Sequence, residues 1–144
     1  MTSESLVETQ LLARQFVDGL APGHSARIVA LYGDLGSGKT SFAQGVASCL
    51  KVGEQVQSPT YVIEKIYKTK HSAFKKLVHI DAYRLESSKE LEKLGWRDLI
   101  ADPDNLILVE WPERVADLMP DNADIVRFEF VDENARKIDF EYGK

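Results

Sequence analysis

Cysteine is almost missing from this chain. Cys49 stands alone among 144 residues, so no intramolecular disulfide can form and the fold must be held by its core. Its place on the apolar side of an expected helix reads as a buried structural thiol. Also missing is any apolar run long enough to cross a bilayer. Met1 to Thr9 is polar and acidic rather than basic and then apolar, so no signal peptide is expected and the expected location is cytoplasmic. Positive charge is in deficit, with 18 Lys and Arg against 23 Asp and Glu and a net charge of −5. That balance argues against the whole chain being a basic nucleic-acid binder. Lys65, Lys68, Lys70, Lys75 and Lys76 do gather around one expected hairpin, a run best read as a solvated face. Repeats, low-complexity tracts and linkers are absent, so residues 1–144 read as one domain.

What is present is a globular balance, 44% apolar and 28% charged, sufficient for a real core. Ser5 to Leu20 has apolar residues at helical spacing (Leu6, Leu11, Leu12, Phe16, Val17, Leu20) and is closed by Pro22 and Gly23. Ile28 to Tyr32 is a short apolar run leading into glycines, the pattern of a buried strand. Thr40 to Leu50 returns to helical spacing. Tyr61 to Tyr67 and Lys76 to Asp81 read as strands flanking a polar turn. Ser87 or Ser88 caps an expected helix with Leu91, Leu94 and Trp96 on its inner face, and Pro103 breaks the chain after Ile100. Leu106 to Glu110 is nearly pure apolar strand, as in the middle of a parallel sheet. Pro112 starts a short helix to Leu118. Ile125 to Val131 and Lys137 to Tyr142 alternate as two strands about a turn at Asp132 to Asn134.

The chemistry concentrates between Gly33 and Thr40. Gly33-Asp34-Leu35-Gly36-Ser37-Gly38-Lys39-Thr40 fills every fixed position of G-x-x-x-x-G-K-[ST], after a strand and before a helix. Successive backbone N–H groups must point into one concavity, which needs dihedrals that glycine adopts cheaply. The following helix adds its positive end to the same point. Lys39 is placed to reach the β- and γ-phosphates as a point charge, and the Thr40 hydroxyl to join a Mg²⁺ shell. Such a loop calls for an acid at the end of a neighbouring strand. Glu110 ends the apolar run from Leu106, and a carboxylate there is costly to bury without a charged partner. Asp81 ends Val78-His79-Ile80 and is the second candidate, to hold a metal-bound water or orient the attacking one. His79 is read as packing or making a structural hydrogen bond, and Trp96 as core or interface. Arg84 and Arg114 are the candidates for stabilising transferred charge. If neither reaches the γ-phosphate, hydrolysis is slow until a partner supplies or orders an arginine.

Four blocks occur in order: Tyr32 to Thr40, Ser58-Pro59-Thr60-Tyr61, Asp81-Ala82-Tyr83-Arg84-Leu85, and Leu108-Val109-Glu110-Trp111-Pro112-Glu113. Together they closely resemble the bacterial TsaE (YjeE) family, small ATPases of the tRNA threonylcarbamoyladenosine pathway, over nearly the whole chain. The resemblance implies a P-loop NTPase fold. Its central sheet would be mostly parallel and flanked by helices, with antiparallel strands at the edges including a C-terminal hairpin, all in one P-loop ATPase domain over 1–144. It implies ATP and ADP as ligands and Mg²⁺ as cofactor. Asp34, Gly36, Ser37, Gly38, Lys39, Thr40 and Ser41 would form the phosphate cradle, with Thr9 and Trp111 beside the nucleotide. Thr40 and Glu110 would hold the metal, and Lys39, Asp81 and Glu110 would carry catalysis, with Thr60 in a switch-like loop. Ser37 stands where other members often have Ala, and Ser41 where many have Thr. The implied partner is the TsaB–TsaD pair, with tRNA engaged only indirectly and no membrane. Three competing readings are weaker. A small-molecule kinase needs an acceptor pocket and an arginine-rich lid, and a GTPase needs an Asn-Lys-x-Asp motif; the sequence offers none of these. A nucleotide-gated binding module without turnover is separated only by experiment.

Overall fold

The structure is a computed structural model that describes residues 2–34, 38–53, 63–133 and 135–143. Chain order is β1 (Thr2–Ser3), α1 (Leu6–Asp18), β2 (Arg27–Tyr32), α2 (Lys39–Cys49), β3 (Glu64–Lys68) and β4 (Lys76–Asp81). There follow α3 (Ser88–Lys93), α4 (Trp96–Ala101), β5 (Asn105–Glu110), a 3-10 segment (Pro112–Leu118), β6 (Asp124–Phe130) and β7 (Arg136–Glu141). The strands form one seven-stranded sheet in the order β1-β7-β6-β2-β5-β4-β3. Its four central strands, β6, β2, β5 and β4, run parallel. The edges β3, β7 and β1 are antiparallel to their neighbours.

The parallel centre explains the unbroken apolar run in β5, because both of its faces are covered. Leu106 and Leu108 enter the core shared with α1 and α2, where Phe16, Phe42 and Val46 pack. Ile107 and Val109 enter the second core, with Leu91, Trp96 and Val115. Two-residue alternation therefore decides which core each side chain fills. Ser5 caps α1, its side chain accepting from the Glu8 amide at 3.1 Å.

Several expected features shift. The helix after Ser87 is two short helices, because Gly95 takes a left-handed φ of 88° between them. That break turns Leu94 out to 42% exposure instead of onto the inner face, while Leu91 and Trp96 stay buried. Cys49 is half-buried rather than buried, packing against the first core with Sγ 3.8 Å from Asp18 Oδ1. The strand expected from Tyr61 is described only from Glu64 to Lys68.

Candidate active site

The site forms where the parallel strands end. In the sheet register Glu110 lies beside both Leu31 of β2 and Asp81 of β4. The two acids therefore stand side by side at the C-terminal edge, where open α/β sheets bind their ligands. Glu110 shares a face with Leu106 and Leu108, the face that α2 covers. Asp81 shares that face with Leu77 and His79 on β4.

Lys39 opens α2 directly after Gly38, which takes a left-handed φ of 105°. A Cβ at Gly38 would meet only Arg136 Cγ at 3.7 Å and Phe128 at 3.9 Å. Its glycine is thus required by the dihedral and not by lack of space. Lys39 is 5% exposed, yet among the described residues its Nζ finds no hydrogen-bond partner. It lies 4.2 Å from the centroid of the Trp111 ring. Burial pushes its pKa down, opposed by Glu110, Asp81, Glu113 and Asp34 in that order. Thr40 and Ser41 follow in the first turn of α2, half-buried, and Asp34 is exposed. Gly36, Ser37 and the Ser58 to Tyr61 block fall outside the described residues.

Glu110 is 4% exposed, and its Oε2 meets Nε2 of the fully buried His79 at 2.6 Å. Asp81 is half-buried, with Oδ1 accepting the Tyr83 amide at 3.0 Å. Burial raises its pKa above the ordinary carboxylate range, the Tyr83 N–H pulls it back, and Glu110 pushes it up again. Past Glu110 the chain turns sharply: Trp111 adopts φ 57° and ψ 50° ahead of Pro112. Strand alternation alone would carry the indole away from Glu110; the turn lays it over Lys39. Tyr83 packs against Trp111 at 5.0 Å between centroids, and the Arg114 guanidinium lies 5.7 Å from the Tyr83 ring. Arg84 is exposed on the same loop. Trp96 packs in the second core, as expected from the sequence.

Thr9 is 2% exposed, and its hydroxyl bonds Ser3 Oγ at 2.6 Å and the Ser5 carbonyl at 3.2 Å. It ties β1 to α1. Arg136, not singled out in the sequence, brings its side chain beside Gly38 with its guanidinium 4.7 Å from the Phe130 ring. Alternation with Ile138 puts Arg136 on the α2 face, but only the pairing of β7 with β6 brings it to the phosphate loop.

Among the described residues no group of three or more His, Cys, Asp or Glu is placed to hold a metal alone. The acids and the Thr40 hydroxyl supply hard oxygens in small number. That suits Mg²⁺, which binds through one or two carboxylates and shares its remaining positions with phosphate and water.

Residues 3–138 match the family model described as threonylcarbamoyl adenosine biosynthesis protein TsaE. The chain belongs to the TsaE family. Among TsaE relatives, the tRNA threonylcarbamoyladenosine biosynthesis protein TsaE of Haemophilus influenzae is 33% identical over 128 residues, 88% of this chain and 78% of that protein. The protein of the same name from Rickettsia felis is 37% identical over 131 residues, 90% and 71% of the two chains. The crystal structure of Bacillus subtilis YdiB superposes with a TM-score of 0.77 at 25% identity, covering all of this chain and 84% of that one. The fold is that of a P-loop NTPase, and the TsaE family is named for a role in tRNA threonylcarbamoyladenosine biosynthesis.

Proposed function

We propose that this chain is a Mg²⁺-dependent ATPase domain that sustains the cycle of a TsaB–TsaD complex in threonylcarbamoyladenosine modification of tRNA, in the cytoplasm. One observation carries the nucleotide reading: a buried lysine ammonium that finds no hydrogen-bond partner among the described residues, at the start of a helix and facing two strand-end acids. Such a cation is costly unless an anion completes it, and a polyphosphate at a helix N-terminus does so.

In this reading Lys39 binds the β- and γ-phosphates. The backbone from Asp34 through Gly36, Ser37 and Gly38 to Ser41 cradles them. Thr40 and Glu110 would hold Mg²⁺, which when bound supplies charge neutralisation across the phosphates. Asp81 takes the proton of the attacking water, since burial holds it above the usual carboxylate range. Trp111 covers the phosphate end. Thr9 serves the nucleoside end by fixing β1, and Arg136 stands beside Gly38 at the phosphate loop. Arg114 leans on Tyr83, so turnover by the chain alone is slow. The partner pair raises it by supplying or ordering a charge.

Calorimetry with Mg-ATP and Mg-ADP, followed by ATPase titration against TsaB–TsaD, tests both levels. Absence of heat with a folded protein refutes the nucleotide site. Binding without any stimulation by the pair refutes the pathway partner and favours a kinase or a nucleotide-gated module.

A further inference from the structure

We propose that His79 is a positioning residue that fixes the Glu110 carboxylate through a single Nε2–H donor; this rests on the ATPase reading of the site. Three observations converge. His79 is wholly buried in a β-strand, where an apolar residue would pack at no polar cost. Its Nε2 lies 2.6 Å from Glu110 Oε2. Its Nδ1 is buried and finds no hydrogen-bond partner among the described residues.

The unpartnered Nδ1 decides where the proton sits. A proton on Nδ1 would be a buried donor with nothing to receive it, and an Nε2 lone pair would then face the carboxylate. A proton on Nε2 gives a donor aimed at Oε2 and leaves only a bare lone pair on the other side, the lesser loss.

The register explains why the bond falls here. His79 sits beside Leu108, and Asp81 beside Glu110, so His79 reaches diagonally along its own face to the strand-end acid. Glu110 carries one more methylene than an aspartate would, and its freedom has to be removed before it can serve a metal or a water. The bond to Oε2 removes it and leaves Oε1 to the site. Partners of this kind orient ligating carboxylates in metal sites generally.

The test compares His79→Leu with His79→Gln, whose amide nitrogen restores a donor near the Nε2 position. In His79→Leu we expect kcat in single-turnover ATP hydrolysis and the Mg²⁺-dependent gain in ADP affinity to fall about 10–100-fold. KM for ATP and the ADP affinity without metal stay near wild type, and His79→Gln recovers most of the loss. Nitrogen-15 spectra of the wild type, with only three histidines in the chain, should place the His79 proton on Nε2. A folded His79→Leu protein with unchanged kcat and Mg²⁺ dependence overturns the proposal. So does a His79→Gln protein as impaired as the leucine variant, or a proton found on Nδ1. A wild type that binds no Mg-nucleotide overturns the ATPase reading instead, and that failure shows in the parent protein before any variant is made.

Discussion

Replacing Lys39 by Met should make the nucleotide-free protein more stable while abolishing its response to ATP. The Met side chain matches the lysine stem in length and apolar character and omits the ammonium. Leaving a buried polar group unsatisfied costs about 1–3 kcal/mol, and more when it is charged. The Trp111 ring at 4.2 Å returns about 0.5–2 kcal/mol of that, and the neighbouring acids offset a further part. Burial still wins, since the Lys39 pKa lies below its ordinary value. The net gain on substitution is then on the order of 1 kcal/mol, or about 2–4 °C in Tm. Glu110 and Asp81 keep their own hydrogen bonds to His79 and to the Tyr83 amide, so the variant does not strand them. At 100-fold excess over Kd, Mg-ATP should stabilise the wild type by about 2.7 kcal/mol and the variant not at all. The order of stabilities therefore reverses on adding nucleotide. The pH dependence has a definite sign. With a lowered folded-state pKa, the cost of Lys39 is full while the group is charged in both states. It fades as pH rises from the folded value toward 10.5, so the advantage of the variant shrinks there. Urea denaturation at pH 7 and near pH 10, with and without Mg-ATP, reads all three effects. A Lys39→Met protein less stable than wild type by 1 kcal/mol or more without nucleotide would refute the account, making Lys39 a structural residue.

Two further predictions concern the scaffold. Gly45 lies inside α2 where a Cβ would come within 2.8 Å of Ala13 Cβ and of the Gln10 Cα. Gly45→Ala should lower stability by about 1–3 kcal/mol from overpacking, against a helix-propensity gain of about 1 kcal/mol. Gly53→Ala, with nothing within 4 Å, is the neutral control in thermal melts. Arg27 makes a two-pronged bond to buried Asp124, at 2.7 and 2.9 Å, where β2 begins and far from its C-terminal end. Arg27→Ala leaves that buried carboxylate without its cation, held among the described residues only by the Gly143 amide at 2.7 Å, and should cost about 3 kcal/mol. Nucleotide affinity should stay unchanged at temperatures where the variant is folded, as calorimetry would show.

Local pattern made β2, β4, β5 and α2 legible to within a residue or two, because each carries one strong signal. For β5 that signal is an unbroken apolar run, for β2 a run ending in glycines. Features set by pairing between distant segments were not legible. Strand β1 is two residues long and exists only through its register with Lys137 and Arg136. The bond of His79 to Glu110 depends on the offset between β4 and β5, which neither strand encodes alone. Arg136 is an ordinary strand residue until β7 folds back on β6. Leu94 fits the helical period, and only the dihedral at Gly95 turns it outward. The Trp111 indole reaches Lys39 through a backbone conformation that its own residue type disfavours.

That conformation gives a last test, because its backbone and side-chain effects separate. A non-glycine residue in the left-handed region costs roughly 1–2 kcal/mol, and φ 57° at Trp111 must be held by what surrounds it. Pro112 biases the residue before it toward extended backbone, so the hold comes from the indole, which packs among the second core and against Tyr83. Trp111→Ala removes the ring and keeps the unfavourable backbone. Trp111→Gly removes the ring and relieves the backbone. If the tight turn persists in solution, the glycine variant should be the more stable of the two by about 1 kcal/mol. This reverses the usual order, in which extra unfolded-state freedom makes glycine the poorer choice. Both variants should lose stability relative to wild type, because about 2–3 kcal/mol of aromatic burial disappears. Their affinities for Mg-ATP should fall alike, since the ring covering Lys39 is gone from each. An alanine variant equal to or more stable than the glycine variant would mean that the chain leaves β5 without the left-handed turn, and that the indole reaches Lys39 by another route.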